Sequence, residues 1–238
     1  VREEFGKLNS PGGLILSNVF EDLYFGFYSY EAKDIILYKN KYENSVVYGI
    51  DPHDRSENLV IAHNHVSGTK QKHGIILSRG IKNSHIFGNL IERNGGSGLM
   101  LDRHSHDNEI ADNVIRYNKG SGIDLYESPS NRLYDNILEN NDRNGLNIRN
   151  SYDLFVSGGR IALNKRQAIE IREADLKDTD RDFQKDPFEI RSSVAFKDVE
   201  IESNKGLLKT NGFKTIAFQG MKWSKASLIP ERYSGDLS

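Results

Sequence analysis

The 238-residue chain has no cysteine, two methionines, one tryptophan and five prolines. Without cysteine there is no disulfide framework, no thiolate metal site and no cysteine nucleophile, although either redox compartment is compatible. No apolar run approaches 18 residues, which excludes a transmembrane helix. The formal net charge of −2 argues against a nucleic-acid partner, so attraction for a polyanion has to come from a local cluster of Lys and Arg.

A repeat dominates the sequence. Seven times, at intervals of 23 to 25 residues, a small residue precedes an apolar-x-apolar triplet. The alternation of apolar residues indicates a half-buried β-strand in each repeat. The aligned small residues are Gly26, Gly49, Gly74, Gly98, Gly122, Gly145 and Ala168.

A second column has the same period. It consists of Asn18, Asn40, Asn64, Asn89, Asn113 and Asn136. Stacked asparagines can bond amide to amide along a solenoid. A leucine-rich repeat has a similar period but needs a helical segment in each repeat, whereas Gly, Asn and Ser turns connect these triplets. The sequence therefore predicts an all-β fold, a right-handed parallel β-helix with about three short strands per coil.

We expect a single catalytic domain over residues 1–238. Regular coils are predicted at about 13–174 and further coils at about 190–223. The charged stretch at 174–187 is predicted to be a surface loop, and the residues after Lys225 an irregular tail.

In a solenoid, residues at equal positions of successive coils are neighbours, about 4.8 Å apart. The second, fourth and fifth positions after the aligned Gly are expected to face solvent. This places His53 in one coil with Tyr48, Asp51 and Asp54, and Arg79 in the next coil beside Asp54. Neighbouring carboxylates set the tautomer and basicity of a histidine, and an arginine can clamp a substrate carboxylate. A purely solvated polar face is the alternative interpretation.

The segment from Tyr48 to Ser56 reads Tyr-Gly-Ile-Asp-Pro-His-Asp-Arg-Ser and resembles the DPHD motif of mannuronan C5-epimerases. The resemblance implies that His53 is the general base, that Arg79 neutralises the uronate carboxylate, and that Asp51 and Asp54 belong to the catalytic motif. Calcium-dependent members of the family use the tyrosine of this motif, which points to Tyr48.

The resemblance is to the periplasmic, calcium-independent type, because the chain lacks Gly/Asp-rich calcium-binding repeats. It implies a periplasmic location, no cofactor and a longer full-length protein with a leader. The expected partner is an acidic polysaccharide, polymannuronate or alginate, and proteins of an export complex are possible partners.

Polymer binding is expected to use the same sheet, through Tyr30, Arg103, Tyr126, Arg149 and Arg172. Alternatively, these arginines only balance neighbouring acids. No metal site is predicted, since His104 and His106 have no ligand-spaced partner coil.

C5-epimerisation removes the proton alpha to a carboxylate and returns one to the opposite face, from Tyr48 or, as we favour for the periplasmic type, from water. A polyuronate lyase needs the same first step, so it stays an alternative to the epimerase. A non-catalytic acidic-polysaccharide-binding β-helix and a metal-handling β-helix are the others.

Overall fold

The computed structural model describes residues 12–174, 189–212 and 215–224, and in these ranges all regular structure is β-strand. The strands form three parallel sheets, and each coil contributes one strand to each sheet. Sheet A contains β1 (Gly13–Leu16), β4 (Ile35–Tyr38), β7 (Val60–Ala62), β10 (His85–Phe87), β13 (Glu109–Ala111), β16 (Arg132–Tyr134), β19 (Leu154–Ser157), β22 (Ser193–Lys197) and β25 (Thr215–Gln219).

Sheet B contains β2 (Val19–Glu21), β5 (Lys41–Glu43), β8 (His65–Ser67), β11 (Leu90–Glu92), β14 (Val114–Arg116), β17 (Ile137–Glu139), β20 (Arg160–Ala162), β23 (Glu200–Glu202) and β26 (Lys222–Ser224). Sheet C contains β3 (Phe25–Tyr30), β6 (Tyr48–His53), β9 (Ile75–Ser78), β12 (Leu99–Asp102), β15 (Ile123–Tyr126), β18 (Leu146–Arg149), β21 (Gln167–Arg172) and β24 (Gly206–Asn211). The predicted parallel β-helix is confirmed, and a leucine-rich repeat is excluded.

The core is a stack of inward-facing apolar side chains. On sheet C, Ile50 pairs with Ile75, Ile75 with Leu99, and Leu99 with Ile123, and all four are fully buried. Each such residue alternates with an outward-facing neighbour, because successive side chains of a strand point to opposite faces. The same alternation leaves one continuous outer face on sheet C for functional side chains.

The aligned glycines lie where the chain enters sheet C from sheet B. Glycine is needed there because a side chain would not fit, not because of a special backbone conformation. A Cβ atom on Gly98 would lie 2.2 Å from Cγ2 of Ile115, and one on Gly145 the same distance from Cγ2 of Ile161. Such distances are far below a carbon–carbon contact of 3.5–4.0 Å. Each coil therefore needs a very small residue at this corner.

The predicted asparagine column forms a hydrogen-bonded ladder. Asn64 donates from its backbone N to Oδ1 of Asn89 at 2.9 Å and from Nδ2 to the same oxygen at 3.1 Å. Nδ2 also donates to the backbone oxygen of Leu37 at 2.8 Å. A second ladder, which the sequence analysis missed, joins Asn94, Asn118, Asn141, Asn164 and Asn204. The ladders satisfy the buried polar groups of the coil corners.

Strands β22 to β26 continue the three sheets where further coils were predicted. The predicted loop at 174–187 lies, apart from Ala174, outside the described residues, as does the tail after Lys225. Within the described ranges no helix has the length and apolarity needed to cross a membrane.

Candidate active site

The outer face of sheet C presents three columns of side chains, one side chain from each coil. The His53 column contains Tyr30, His53, Ser78, Asp102, Tyr126, Arg149 and Arg172. The Asp51 column lies two residues before the His53 column in each strand. It contains Tyr28, Asp51, Ile76, Met100, Asp124, Asn147, Glu170 and Lys209. The Tyr48 column begins with Phe25, Tyr48 and His73 and continues through Ser97 and Ser121.

Asp54 contacts both His53, the predicted general base, and Arg79, the residue predicted to neutralise the substrate carboxylate. One carboxylate oxygen lies 3.0 Å from Nδ1 of His53, and the other accepts a hydrogen bond from Nη1 of Arg79 at 3.2 Å. The predicted contact between Arg79 and Asp54 in adjacent coils is therefore present. Because the Asp54 carboxylate lies against Nδ1, Nε2 of His53 is the ring nitrogen available to act on a substrate.

Asp54 and Arg79 occupy equivalent turn positions at the end of sheet C. Their φ angles are 43° and 65°, and Arg103 in the following coil has a φ of 47°. This left-handed conformation occurs at coil corners throughout the described chain, so it belongs to the solenoid turn and does not by itself mark a site. Its effect here is to bring the turn side chains back beside the ends of β6, β9 and β12.

Asp51 is more buried than the sequence predicted. It is only 2% exposed, and Asp54 is also buried, although both were expected to face solvent. Burial and, to a smaller extent, the charge of Asp102 raise the pKa of Asp51 to about 7, although Arg103 opposes the shift. The Oδ1 atom of Asp51 has no hydrogen-bond partner among the described residues. A buried carboxyl in this state carries a proton over much of the range below neutral pH.

Tyr48 stands at the opposite end of β6 from His53. Its ring stacks between Phe25 and His73, with a centroid distance of 6.0 Å on each side. Burial, aided by the charges of Asp51 and Asp102, raises the pKa of Tyr48 to about 12. The phenol therefore keeps its proton at neutral pH and is a donor, not a base.

His73 is a member of this site that the sequence analysis did not select. Its Nδ1 accepts a hydrogen bond from the backbone N of Ser97 at 3.0 Å, which assigns the ring proton of the neutral form to Nε2. Burial lowers the pKa of His73, and the charges of Asp124 and Asp102 oppose the shift. The sequence could have identified His73, because it has the same register position as Tyr48, one coil later.

Two predicted binding residues surround the same centre. Tyr30 pairs with His53 across β3 and β6 and is exposed, while the neighbouring Tyr28 has its ring centroid 6.0 Å from that of His53. Arg103 donates from Nη2 to Oγ of Ser78 at 3.0 Å and from Nε to Asp102 at 3.3 Å. The site thus contains more charged and aromatic groups than the motif alone indicates.

The remaining predicted binding residues lie further along the His53 column. The guanidinium of Arg149 lies 3.4 Å from the ring centroid of Tyr126 and 3.6 Å from Glu127, and its side chain is 16% exposed. Internal contacts therefore engage Arg149, as the charge-balance interpretation predicts. Tyr126 and Arg172, in contrast, line a groove of about 660 Å³ over β15, β18 and β21.

Comparison with known proteins gives two matching families. A family model described as periplasmic copper-binding protein (NosD) matches residues 6–154, and one described as right handed beta helix region matches residues 103–218. The second agrees with the predicted hand of the solenoid.

The chain is also similar to named mannuronan C5-epimerases. It is 48% identical over 188 residues to mannuronan C5-epimerase AlgG of Azotobacter vinelandii, covering 79% of this chain and 36% of that protein. It is 43% identical over 198 residues to a mannuronan C5-epimerase of Pseudomonas syringae pv. tomato, covering 83% of this chain and 37% of the relative. The chain thus spans just over a third of the length of these curated relatives.

A solved structure, that of the periplasmic alginate epimerase AlgG, superposes with a TM-score of 0.90 at 39% identity. The match covers 94% of this chain and 53% of that one. The predicted resemblance to the periplasmic mannuronan C5-epimerases is confirmed, and the expected periplasmic location agrees with these names.

The first family description implies copper, which favours thiolate, thioether and imidazole ligands. The chain has no cysteine, and no group of three or more His, Asp or Glu side chains in the described ranges could hold a metal ion. His104 and His106 have ring centroids 4.7 Å apart, but His106 is bound to Asp107 at 2.7 Å. The described residues do not fit a copper site.

The NosD family model covers more than half of the chain, so this protein belongs to that family of β-helix proteins, and its named relatives are mannuronan C5-epimerases.

Proposed function

We propose that this chain carries the catalytic part of a mannuronan C5-epimerase, which converts β-D-mannuronate to α-L-guluronate within the alginate polymer. The observation that carries the proposal is the Asp54 bridge, which holds an imidazole and a guanidinium side by side at the ends of β6 and β9 in sheet C. The similarity to named epimerases supports the same activity.

The reaction first breaks the C5–H bond, and the proton passes to Nε2 of His53. The electron pair left on C5 delocalises into the carboxylate, whose negative charge resists this gain. Arg79 offsets that charge by pairing with the carboxylate, and the stabilisation grows as charge develops in the transition state. An imidazole suits the first step because it titrates close to neutral pH.

Asp51 lies between the two ends of β6. With its pKa raised to about 7 by burial, it can keep a proton and donate a hydrogen bond to the substrate carboxylate, adding to the stabilisation by Arg79.

The second proton comes from the other side of the sugar. Tyr48 lies at the opposite end of β6 from His53 and is protonated at neutral pH, so the phenol, or water beside it, supplies the proton to C5. Delivery from the face opposite His53 inverts the configuration at C5 and returns the electron pair to a C–H bond. The step needs no oxidant or reductant.

The partner in this proposal is an acidic polysaccharide in the periplasm, polymannuronate or alginate. Arg103, Tyr30, Tyr126 and Arg172 are proposed to contact it along the groove. Proteins of a polysaccharide export complex are proposed as further partners, on the resemblance alone.

The test is incubation of the chain with polymannuronate followed by proton NMR of the polymer. New guluronate signals are expected, and they should be absent with His53→Ala. Unsaturated chain ends would instead identify a lyase. A polymer left unchanged by the folded parent chain would overturn the catalytic proposal and leave only binding.

A further inference from the structure

Beyond the proposed reaction centre, basic side chains line the groove over sheet C. Two residues before the aligned small position, the coils of β6 to β15 carry Val47, Lys72, Gly96 and Gly120. The next two coils carry Arg143 and Arg166 at this position, the coil after them carries Lys205 directly before Gly206, and all three cations line the 660 Å³ groove. Their coils are consecutive: Arg166 N donates to the backbone oxygen of Arg143, and Gly206 N to that of Arg166. Arg143 and Arg166 are therefore stacked at about 4.8 Å, and Lys205 lies in the coil that follows.

These three side chains are exposed, and none makes an ion pair with another residue in the described ranges. The acids on the groove floor are engaged internally. Asp124 accepts hydrogen bonds from Ser97 and, at 2.7 Å, from Asn147. Glu170 accepts from Asn144 at 2.7 Å and pairs with Lys209 at 3.2 Å. Positive charge is therefore available on the wall, while both acids of the floor already have hydrogen-bonding partners and Glu170 also has an ion-pair partner.

The geometry points to a distal carboxylate-binding subsite in which Arg143, Arg166 and Lys205 form one wall and Arg172 the other. The inference rests on the proposed function, because it takes the ligand of this subsite to be the polyuronate that reacts at His53. Carboxylates of successive sugars pair with the walls, and the polar floor, with Asn147 at its centre, faces hydroxyl groups.

The position of the subsite sets the length of chain that can use it. Arg143 precedes β18, which is four strands beyond β6 in sheet C, a separation of about 19 Å along the solenoid. A polymer bound at His53 reaches this wall, whereas an oligomer too short to span four coils does not. The subsite therefore increases affinity for long chains without taking part in the proton transfers.

The experiment compares the parent with Arg143→Ala/Arg166→Ala and with a matched control, Lys119→Ala/Lys197→Ala. The control removes the same number of positive charges from exposed positions outside the lining of the groove. For the Arg pair we expect KM for long polymannuronate to rise about tenfold at low salt, roughly threefold for each exposed ion pair lost. We expect kcat, and kcat/KM for short oligomannuronates, to stay at the parent values.

Binding is measured separately, by titrating polymannuronate and a neutral β-1,4-linked glycan into the same variants in a His53→Ala background. The subsite predicts weaker polymannuronate binding and a reduced salt dependence for the Arg pair only. Equal weakening by both pairs, or none by either, would overturn it. If the parent binds polymannuronate through these arginines but does not epimerise it, the proposed function fails while the binding site stands.

Discussion

Arg79 follows Asp54 by 25 residues, yet its Nη1 donates to Oδ1 of Asp54 at 3.2 Å, because one coil of the solenoid brings the two side chains together. The other carboxylate oxygen lies 3.0 Å from Nδ1 of His53. Asp54 therefore connects the proposed base to the group proposed to neutralise the substrate carboxylate.

Arg79→Lys tests the neutralising role. Lysine keeps the positive charge but loses the planar fork that binds a carboxylate through two hydrogen bonds. We expect kcat on polymannuronate to fall by about 10²-fold, since the stabilised charge develops mainly in the transition state. Affinity for unreacted polymer should change much less. If kcat stayed near the parent value in a folded variant, the role would pass to Arg103 or Lys33.

His53→Ala removes the proposed base. We expect turnover to fall by about 10²–10⁴-fold, the typical contribution of general base catalysis, with little effect on thermal stability because the side chain is only half-buried. Initial rates and a melting curve measure both quantities. Activity within about threefold of the parent would remove His53 from the mechanism.

Asp54→Asn tests whether the bridge positions both neighbours. Asparagine keeps the shape but removes the charge that holds His53 and Arg79, so we expect kcat to fall by roughly 10-fold or more. In a double-mutant cycle with Arg79→Lys, the two losses should be clearly less than additive, because each disturbs the same contact. Fully additive losses would mean that Asp54 does not act through Arg79.

Asp51 makes the stability of the fold depend on pH. Its pKa is raised from 3.8 unfolded to about 7 folded, mainly by burial, so the protonated form favours folding. This contribution is present below about pH 4 and is lost as pH rises through 7. Asparagine does not titrate, so from pH 4.5 to 8 the free energy of unfolding of Asp51→Asn should increase relative to the parent, by at most about 4 kcal/mol.

Urea unfolding at the two pH values measures this difference. The control is Asp142→Asn, which changes an exposed carboxylate paired with Lys165. No pH-dependent gain is expected there. A difference between Asp51→Asn and the parent that does not change with pH would contradict the effect of burial on Asp51.

Asn113→Ala tests the ladder. Its Oδ1 accepts from the backbone N and the Nδ2 of Asn89, and its Nδ2 donates to the backbone oxygen of Ile86 at 2.8 Å. Truncation leaves these buried groups without partners, so we expect about 3–5 kcal/mol of destabilisation by chemical unfolding. Asn18→Ala, at the exposed end of the same ladder, should cost less than about 1 kcal/mol. Equal costs at the two positions would show that the ladder does not carry this stability.

The period of the sequence was sufficient to assign the coils, the asparagine ladder and the register of the sheet C columns. Parallel strands pair at equal positions, so counting along the chain is enough to place Tyr30 beside His53 and Arg79 beside Asp54. The same arithmetic would have shown the second asparagine ladder from Asn94 onward and the position of His73 next to Tyr48.

Burial and side-chain direction needed the tertiary structure. Asp51 and Tyr30 occupy outward positions of adjacent strands, yet Asp51 is 2% exposed and Tyr30 is 46% exposed. The difference depends on the bulk of the neighbours in both adjoining coils, which no single repeat contains. Arg149 and Arg172 also share a column, but Arg149 packs on Tyr126 whereas Arg172 lines the groove. The register determines which residues are neighbours. The packing of those neighbours, and the water that it excludes, determine the pKa of Asp51 and which arginine is available to a polymer.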